Sequence, residues 1–355
     1  MRITAAAFFV ACNRTGTQKT ESNYIATTPV FRYCEIMAFQ EDIAGIVESC
    51  RRENPCGLEV CYNKPMAGLS SFKAGGPADC WLRPSGEGFP AFAAALIAAA
   101  RAGHIPVFTL GGGANILAAD SGIRGIVLDT GGWAGETGRG RRDGVLEFRA
   151  GTTLDAAAET AADLNLSGVE FLAGMPGSIG GAVWMNARCY GHEIADVLIE
   201  TEIIGFSGSQ PQRLRLPANR SEFGYKLSPF QSRDCLILSA SLQLTPGKMP
   251  DIRALMDANR ADREAKGHYR YPSAGSVFKN NKNFGKPTGK IIDELGLCGL
   301  RKGGAQVAPW HGNLIINTGG ASASDIRALA DEVAAKVKAA TGFILEPEIL
   351  FVGEW

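Results

Sequence analysis

The stretch Ile105-Pro106-Val107-Phe108-Thr109-Leu110-Gly111-Gly112-Gly113-Ala114-Asn115-Ile116-Leu117 decides the fold class. An apolar run enters three consecutive glycines and an apolar pair leaves them. A strand that runs into glycines bares several main-chain N–H groups, which is one way to cradle a pyrophosphate without a lysine. Just upstream, Phe89, Phe92, Leu96 and Ala100 recur at helical spacing, and Gly103 stands where a C-cap belongs. A helix therefore delivers the chain into the strand, and the pair makes an α/β unit with a phosphate-ready end. The glycines match neither G-x-G-x-x-G nor the P-loop ending Gly-Lys-Ser/Thr, so the cradle is of another type.

Working outward, two more segments are rich in glycine. One is Phe72-Lys73-Ala74-Gly75-Gly76-Pro77-Ala78; the other is Ala173-Gly174-Met175-Pro176-Gly177-Ser178-Ile179-Gly180-Gly181-Ala182, which ends near Asn186. A fourth stretch, Pro272-Ser273-Ala274-Gly275-Ser276-Val277-Phe278-Lys279-Asn280, sets a serine among small residues with two polar side chains close behind. Small residues let a ligand approach the backbone, and the Ser276 hydroxyl can give or accept a proton. Lys279 and Asn280 are placed to hold a polar or anionic group.

Between these motifs, helices are expected at 42–52, 154–164, 252–266 and 290–295, and strands at 123–128, 145–148 and 313–317, with strands dominating 197–244. Residues 246–250 read as a linker. Ser324 is expected to cap a last helix whose apolar face carries Ile326, Leu329, Val333 and Val337, and 345–352 to close as a strand bearing Glu346 and Glu348.

A chain of 355 residues exceeds a typical single core, so two or three lobes are expected. With 36 basic and 36 acidic residues the formal charge is zero, which removes the bulk electrostatic case for nucleic acid or an anionic membrane. Arg139, Arg141 and Arg142 read as a solvated loop. The 9 cysteines are odd in number and include no C-x-x-C pair, and the 4 histidines lack metal-ligand spacing, so no disulfide framework or metal site is expected. No apolar run approaches the roughly 20 residues of a membrane span. The first 36 residues fit the rest poorly. The early Cys12 after a short apolar run weighs against a secretory or lipoprotein leader, and Glu21 and Glu35 weigh against a transit peptide. The preferred reading is a non-essential extension, with Met37 opening the functional chain.

In their fixed order, the glycine-rich segments, the Ser276 loop and the ending Glu346-Pro347-Glu348 resemble the UDP-N-acetylenolpyruvoylglucosamine reductase (MurB) family. The resemblance covers 69–352 and is close at Gly168-Val169-Glu170-Phe171-Leu172-Ala173-Gly174, at Tyr271 to Asn280 and at Gly303-Gly304-Ala305-Gln306-Val307. The short path between the middle strands and Ser276 resembles the family's second type, which lacks a tyrosine-bearing insertion. It implies an α/β (α+β) chain with a two-lobed vanillyl-alcohol-oxidase-type FAD-binding domain at 37–247, a smaller α/β substrate-binding domain at 248–346, and a C-terminal strand, 347–355, that returns to the active site.

It further implies non-covalent FAD, NADPH as co-substrate, and reduction of UDP-N-acetylglucosamine enolpyruvate to UDP-N-acetylmuramate in peptidoglycan precursor synthesis, by a cytoplasmic monomer. The flavin would be held by Gly75, Gly76, Gly111, Gly112, Gly113, Ala114, Asn115, Gly174, Met175, Pro176, Gly177, Ser178, Gly180, Gly181 and Ala182. Ala114 stands where the family usually has serine, a loss of about 0.5–1.5 kcal/mol if one hydrogen bond goes. Ser276 matches the family's proton donor and Glu348 its acidic partner, while Tyr225, Lys266, Asn280 and Gln306 are substrate-binding candidates. Asn313 and His311 lie in a matching segment, with His311 read as structural.

In Phe223-Gly224-Tyr225-Lys226-Leu227-Ser228 the family places arginine where this chain has Lys226. Lysine keeps the charge that would steady an enolate-like species but loses the two-pronged geometry. Arg188 stands where many members carry a small residue and is assigned the compensating cation. Two other readings stay open: a flavin oxidoreductase of the same cofactor fold acting on hydroxy acids, and a UDP-sugar binder without catalysis.

Overall fold

The computed structural model describes residues 29–138 and 144–355, with side chains from residue 39 onward. The sequence readings on the N-terminal extension up to residue 28 and on Arg139, Arg141 and Arg142 lie outside the described residues. The chain divides into two units, Met1–Phe39 and Gln40–Trp355. Of the first, only the helical residues from 29 onward are described.

Within the second unit the glycine stretch sits at the edge of a four-stranded sheet ordered Gly57–Pro65, Pro77–Ser85, Ile123–Asp129, Val107–Leu110. The first pair is antiparallel and the other two are parallel. Parallel strands are covered on both faces, and Pro77–Ser85 and Ile123–Asp129 are accordingly almost continuously buried. The helix Phe89–Ala102 buries Phe89, Phe92, Ala93, Leu96 and Ala100, and the Gly103 N–H closes it on the Ala99 carbonyl. The expected helix–strand unit is thus present.

A second four-stranded sheet, wholly antiparallel, runs Gln212–Pro217, Leu198–Gly205, Cys235–Gln243, Val145–Arg149. It packs with the alanine-rich helix Leu154–Asp163 into a separate core that includes Phe148, Ala157, Leu172 and Val183. A third core gathers Val277 of the Ser276 loop, Ile291 of the helix Thr288–Glu294, Val307 of the small sheet Arg301–Lys302, Ala305–Val307, Ile315–Asn317, and Ile326 and Leu329 of the helix Ala323–Thr341. Phe72, Ala74 and Leu117 belong to this third core although they come from the first third of the chain.

Four local expectations are corrected. The last helix is capped by Ser322, whose hydroxyl accepts from Asp325 N–H while Asp325 reciprocates; the Ser324 N–H instead donates to Asp120 at 2.8 Å. The expected linker at 246–250 is packed: Thr245–Pro246 pairs with Leu166–Ser167, and a helix, Met249–Ala265, begins three residues later. The closing strand is only Leu350–Val352, parallel to Ile116–Ala118. Pro347 has no N–H to extend that ladder, and the preceding residues pair irregularly with the Ser276 loop through Phe278 and Pro347. The strand expected at 313–317 is Ile315–Asn317, because Asn313 makes a different set of bonds, described below. No helix among the described residues is long and apolar enough to cross a membrane.

Candidate active site

The cradle is made where two glycine loops abut. A Cβ on Gly111 would lie 2.6 Å from the Ser178 hydroxyl oxygen, and one on Gly112 only 2.7 Å from the Gly177 Cα. One on Gly113 would fall 1.9 Å from the Leu69 carbonyl oxygen, and Gly113 also holds φ +63°. These glycines thus let main chain meet main chain. The main-chain N–H groups of Gly112, Gly113, Ala114 and Asn115, and of Gly177 and Ser178, find no acceptor among the described residues. Gly113 and Ser178 are buried, and a buried N–H without a partner is costly and rare. Such a nest of donors fits the diphosphate of FAD.

The other residues assigned to the flavin lie around the cradle and make main-chain contacts of their own. Gly75 and Gly76 pack against Ala118 and Asp120, and Gly76 N–H bonds the Ala119 carbonyl. Gly174 N–H donates to Asp155 at 2.8 Å, and its carbonyl accepts from the Tyr269 hydroxyl at 2.6 Å. Met175 N–H closes on Leu172, and Pro176 is exposed. Gly180, Gly181 and Ala182 lie in the helix Ile179–Met185, with N–H groups bonded to Ala150, to the capping Ser178 hydroxyl and to the Ser178 carbonyl.

That helix ends at Asn186, which is left-handed and fully buried. Its amide donates to the Gly224 carbonyl at 2.8 Å and accepts from Ala195 N–H at 3.2 Å. The tight turn from Gly224 to Leu227 is thereby anchored, and Ser228 ties it to the Trp184 carbonyl. Lys226 sits in this turn at φ +57°, a conformation that costs a residue with a Cβ on the order of 1–3 kcal/mol. The turn aims its ammonium at Glu348: Nζ lies 2.7 Å from Oε1, and both side chains are largely buried.

Glu348 is fixed by its own backbone. Its N–H donates to the Val277 carbonyl at 2.7 Å, and its carbonyl accepts from the Asn115 side chain at 3.0 Å. Asn115 therefore joins the cradle to the polar centre. Ser276, next to Val277, is partly buried and bridges to Leu314; its hydroxyl makes no hydrogen bond among the described residues. The structure thus assembles Ser276, Lys226, Glu348 and Asn115 from four distant segments. Tyr225 also joins them, its hydroxyl accepting from Asn280 N–H at 3.3 Å.

The remaining candidates stand differently. The Asn280 side-chain oxygen accepts from Thr288 N–H at 2.9 Å, which leaves its NH₂ for a ligand. Lys266 is exposed, 2.7 Å from Asp262, with its ammonium over the Tyr190 ring. Gln306 is buried and donates to the Gly299 carbonyl at 3.1 Å, inside its own hairpin. No hydrogen bond joins it to Ser276, Lys226 or Glu348. Arg188 is exposed in the short hairpin after Asn186 and has no ion pair among the described residues. Burial lowers the His311 pKa, and its Nδ1 accepts from Asn313 N–H at 3.2 Å. Burial also pushes His268 down to about 4, helped by Arg263, His311 and Lys266.

Sequence reasoning missed Asn186 as an anchor. Its only local signal was its place after a glycine-rich helix, where asparagine tolerates the left-handed conformation. No group of His, Cys, Asp and Glu among the described residues is placed to hold a metal.

Comparison with known proteins bears on the family of the chain. Residues 267–352 match the UDP-N-acetylenolpyruvoylglucosamine reductase C-terminal domain, and 91–210 match an FAD binding domain. UDP-N-acetylenolpyruvoylglucosamine reductase of Treponema denticola is 42% identical over 305 residues, covering 83% of this chain and 94% of that one. The Treponema pallidum enzyme of the same name is 40% identical over 332 residues, covering 82% and 93%. The crystal structure of UDP-N-acetylenolpyruvylglucosamine reductase from Thermus caldophilus superposes with a TM-score of 0.65 at 30% identity, covering 84% of this chain and 99% of that one. With the two glycine loops, the Ser276 loop and Glu348 assembled as the order of motifs requires, the chain belongs to the UDP-N-acetylenolpyruvoylglucosamine reductase family.

Proposed function

We propose that the site assembled here carries out the family reaction, NADPH-dependent and FAD-mediated reduction of UDP-N-acetylglucosamine enolpyruvate to UDP-N-acetylmuramate, a step of peptidoglycan precursor synthesis. The observation that carries the reading is the junction of the amide cradle with the buried Lys226–Glu348 pair, made by Asn115 on the Glu348 carbonyl, while Glu348 N–H bonds the residue after Ser276. Bound FAD supplies the redox chemistry, taking hydride from NADPH and passing it to the substrate.

In this reading the N–H groups of Gly112 to Asn115, Gly177 and Ser178 hold the cofactor diphosphate without covalent attachment. When hydride reaches the terminal vinyl carbon, negative charge grows toward the substrate carboxylate. The Lys226 ammonium, in a site largely shielded from water, is where that charge is met. Glu348 orients the ammonium as its acidic partner. Ser276 gives its hydroxyl proton to the neighbouring carbon, completing reduction of the double bond, and is reprotonated from solvent. A serine suits this task because the acceptor is a strongly basic carbanion-like centre. Lys266 and Asn280 hold the sugar diphosphate, and Tyr225 and Gln306 line the same substrate pocket. Arg188, with its guanidinium unpaired, is the second cation for the carboxylate.

The same reading divides the chain at 37–247, 248–346 and 347–355, and has the enzyme act as a monomer in the cytoplasm, on small molecules, without nucleic acid or membrane.

An anaerobic two-step experiment tests it: reduce the flavin of the purified protein with NADPH, then add UDP-N-acetylglucosamine enolpyruvate. Fast reoxidation is the expected result. A flavin that stays reduced would overturn the second half of the reading, and a protein without flavin would overturn all of it.

A further inference from the structure

Asn313 is 3% exposed, and its main-chain carbonyl and side-chain amide converge on the segment that carries Ser276. Its main-chain carbonyl accepts from Val277 N–H at 2.9 Å. Its side-chain oxygen accepts from Phe278 N–H at 2.9 Å, and its side-chain NH₂ donates to the Phe278 carbonyl at 2.7 Å. The amide thus stands in for a missing strand partner, because the chain before Asn313 turns away and its own N–H closes on His311 Nδ1 at 3.2 Å. On the opposite side, the same segment bonds Glu346 and Glu348 through Lys279 N–H and the Val277 carbonyl. Ser276 and the Glu348 backbone are therefore referred to one rigid element, and Asn313 clamps its free side.

We propose that Asn313 is a positioning residue for the oxidative half-reaction, holding the Ser276 hydroxyl in the geometry for proton transfer. The proposal rests on the reading of Ser276 as proton donor. Asparagine is suited because a neutral amide both accepts and donates within this reach. Aspartate has the same shape but places a carboxylate oxygen against the Phe278 carbonyl. Leucine or alanine leaves two buried main-chain groups without partners.

The test compares Asn313→Asp, Asn313→Ala and Ser276→Ala in anaerobic rapid mixing, following flavin reduction by NADPH and then reoxidation at saturating UDP-N-acetylglucosamine enolpyruvate in H₂O and D₂O. Flavin reduction should stay at the wild-type rate in all three. Reoxidation should slow by about 10²-fold in the Asn313 variants, the scale of a misplacement of about an ångström, with a larger solvent isotope effect than wild type. A loss confined to substrate affinity, with reoxidation at saturation and its isotope effect unchanged, would overturn the proposal and leave Asn313 a structural residue. Should Asn313→Ala fail to fold, the isosteric Asn313→Asp decides alone. Fast reoxidation in Ser276→Ala sinks the proton-donor reading and this proposal with it. Fast reoxidation in Asn313→Asp beside a slow Ser276→Ala sinks this proposal only.

Discussion

The amide cradle and the polar centre lie side by side yet are built by opposite means. In the cradle, glycines bring main chain against main chain at distances no Cβ allows, and the groups offered to a ligand are backbone N–H groups. In the polar centre the groups that matter are side chains, Lys226, Glu348, Ser276 and Asn313, brought from four segments by buried hydrogen bonds. The first region should tolerate changes of side-chain chemistry and reject added volume. The second should do the reverse.

Gly113→Ala should give the largest effect. The methyl group would meet the Leu69 carbonyl at 1.9 Å from a residue at φ +63°, and strain and overpacking together cost about 2–6 kcal/mol. Loss of bound flavin absorbance and a sharply lower Tm are expected; a flavin-replete variant of normal Tm would break the comparison.

Lys226→Ala comes next. It strands the Glu348 carboxylate, about nine-tenths buried, without its cation, and breaking such a pair costs about 3–5 kcal/mol. Denaturant unfolding should show the loss, and turnover should fall with it. Lys226→Arg should keep both. Arg188→Ala, which breaks no ion pair among the described residues, should leave stability unchanged and lower turnover by about tenfold, the scale of a lost charge-assisted contact of about 1.5 kcal/mol. Turnover near wild type in Arg188→Ala, beside none in Lys226→Ala, would end its role as second cation.

Acid should erode stability next to the polar centre more gently. His268 is held at about 4, below its ordinary 6.5, so the fold favours the neutral ring. Its contribution is full above about 6.5 and is lost as the pH falls toward 4, and the lowered His311 acts in the same direction. A Tm profile that declines across this window in wild type and flattens in His268→Gln is expected; identical profiles would remove histidine from the account. The smallest effect belongs to Ser178→Ala. Losing the cap on Gly181 N–H costs about 1 kcal/mol, and flavin should be retained because the cradle's donors are main-chain.

Much of the cradle was legible because its signals are local. Consecutive glycines after an apolar run, with a helix ending at Gly103 just before it, describe a strand–loop unit within a few residues of chain. What those glycines touch was not legible. Their α-carbons pack against Leu69, Gly177 and Ser178 while the Gly112 and Gly113 N–H groups stay without an acceptor among the described residues, and the N–H groups of Gly76 and Gly180 bond the Ala119 and Ala150 carbonyls. That Ser322 rather than Ser324 caps the last helix was not legible, because Asp120, which takes the Ser324 N–H, is far away in sequence. The partner of Gln306 was not legible either: its amide donates to the Gly299 carbonyl within its own hairpin.

By itself the sequence determined the α/β unit, the order of the glycine loops and the residue types of the centre, because glycine spacing and hydrophobic period act over a few residues. Only the tertiary structure decided that Lys226 faces Glu348, that Asn115 links them to the cradle, and that Asn313 clamps the Ser276 segment. These are meetings of residues far apart in the chain, and their partners are chosen by which buried polar groups the packed lobes leave to be satisfied.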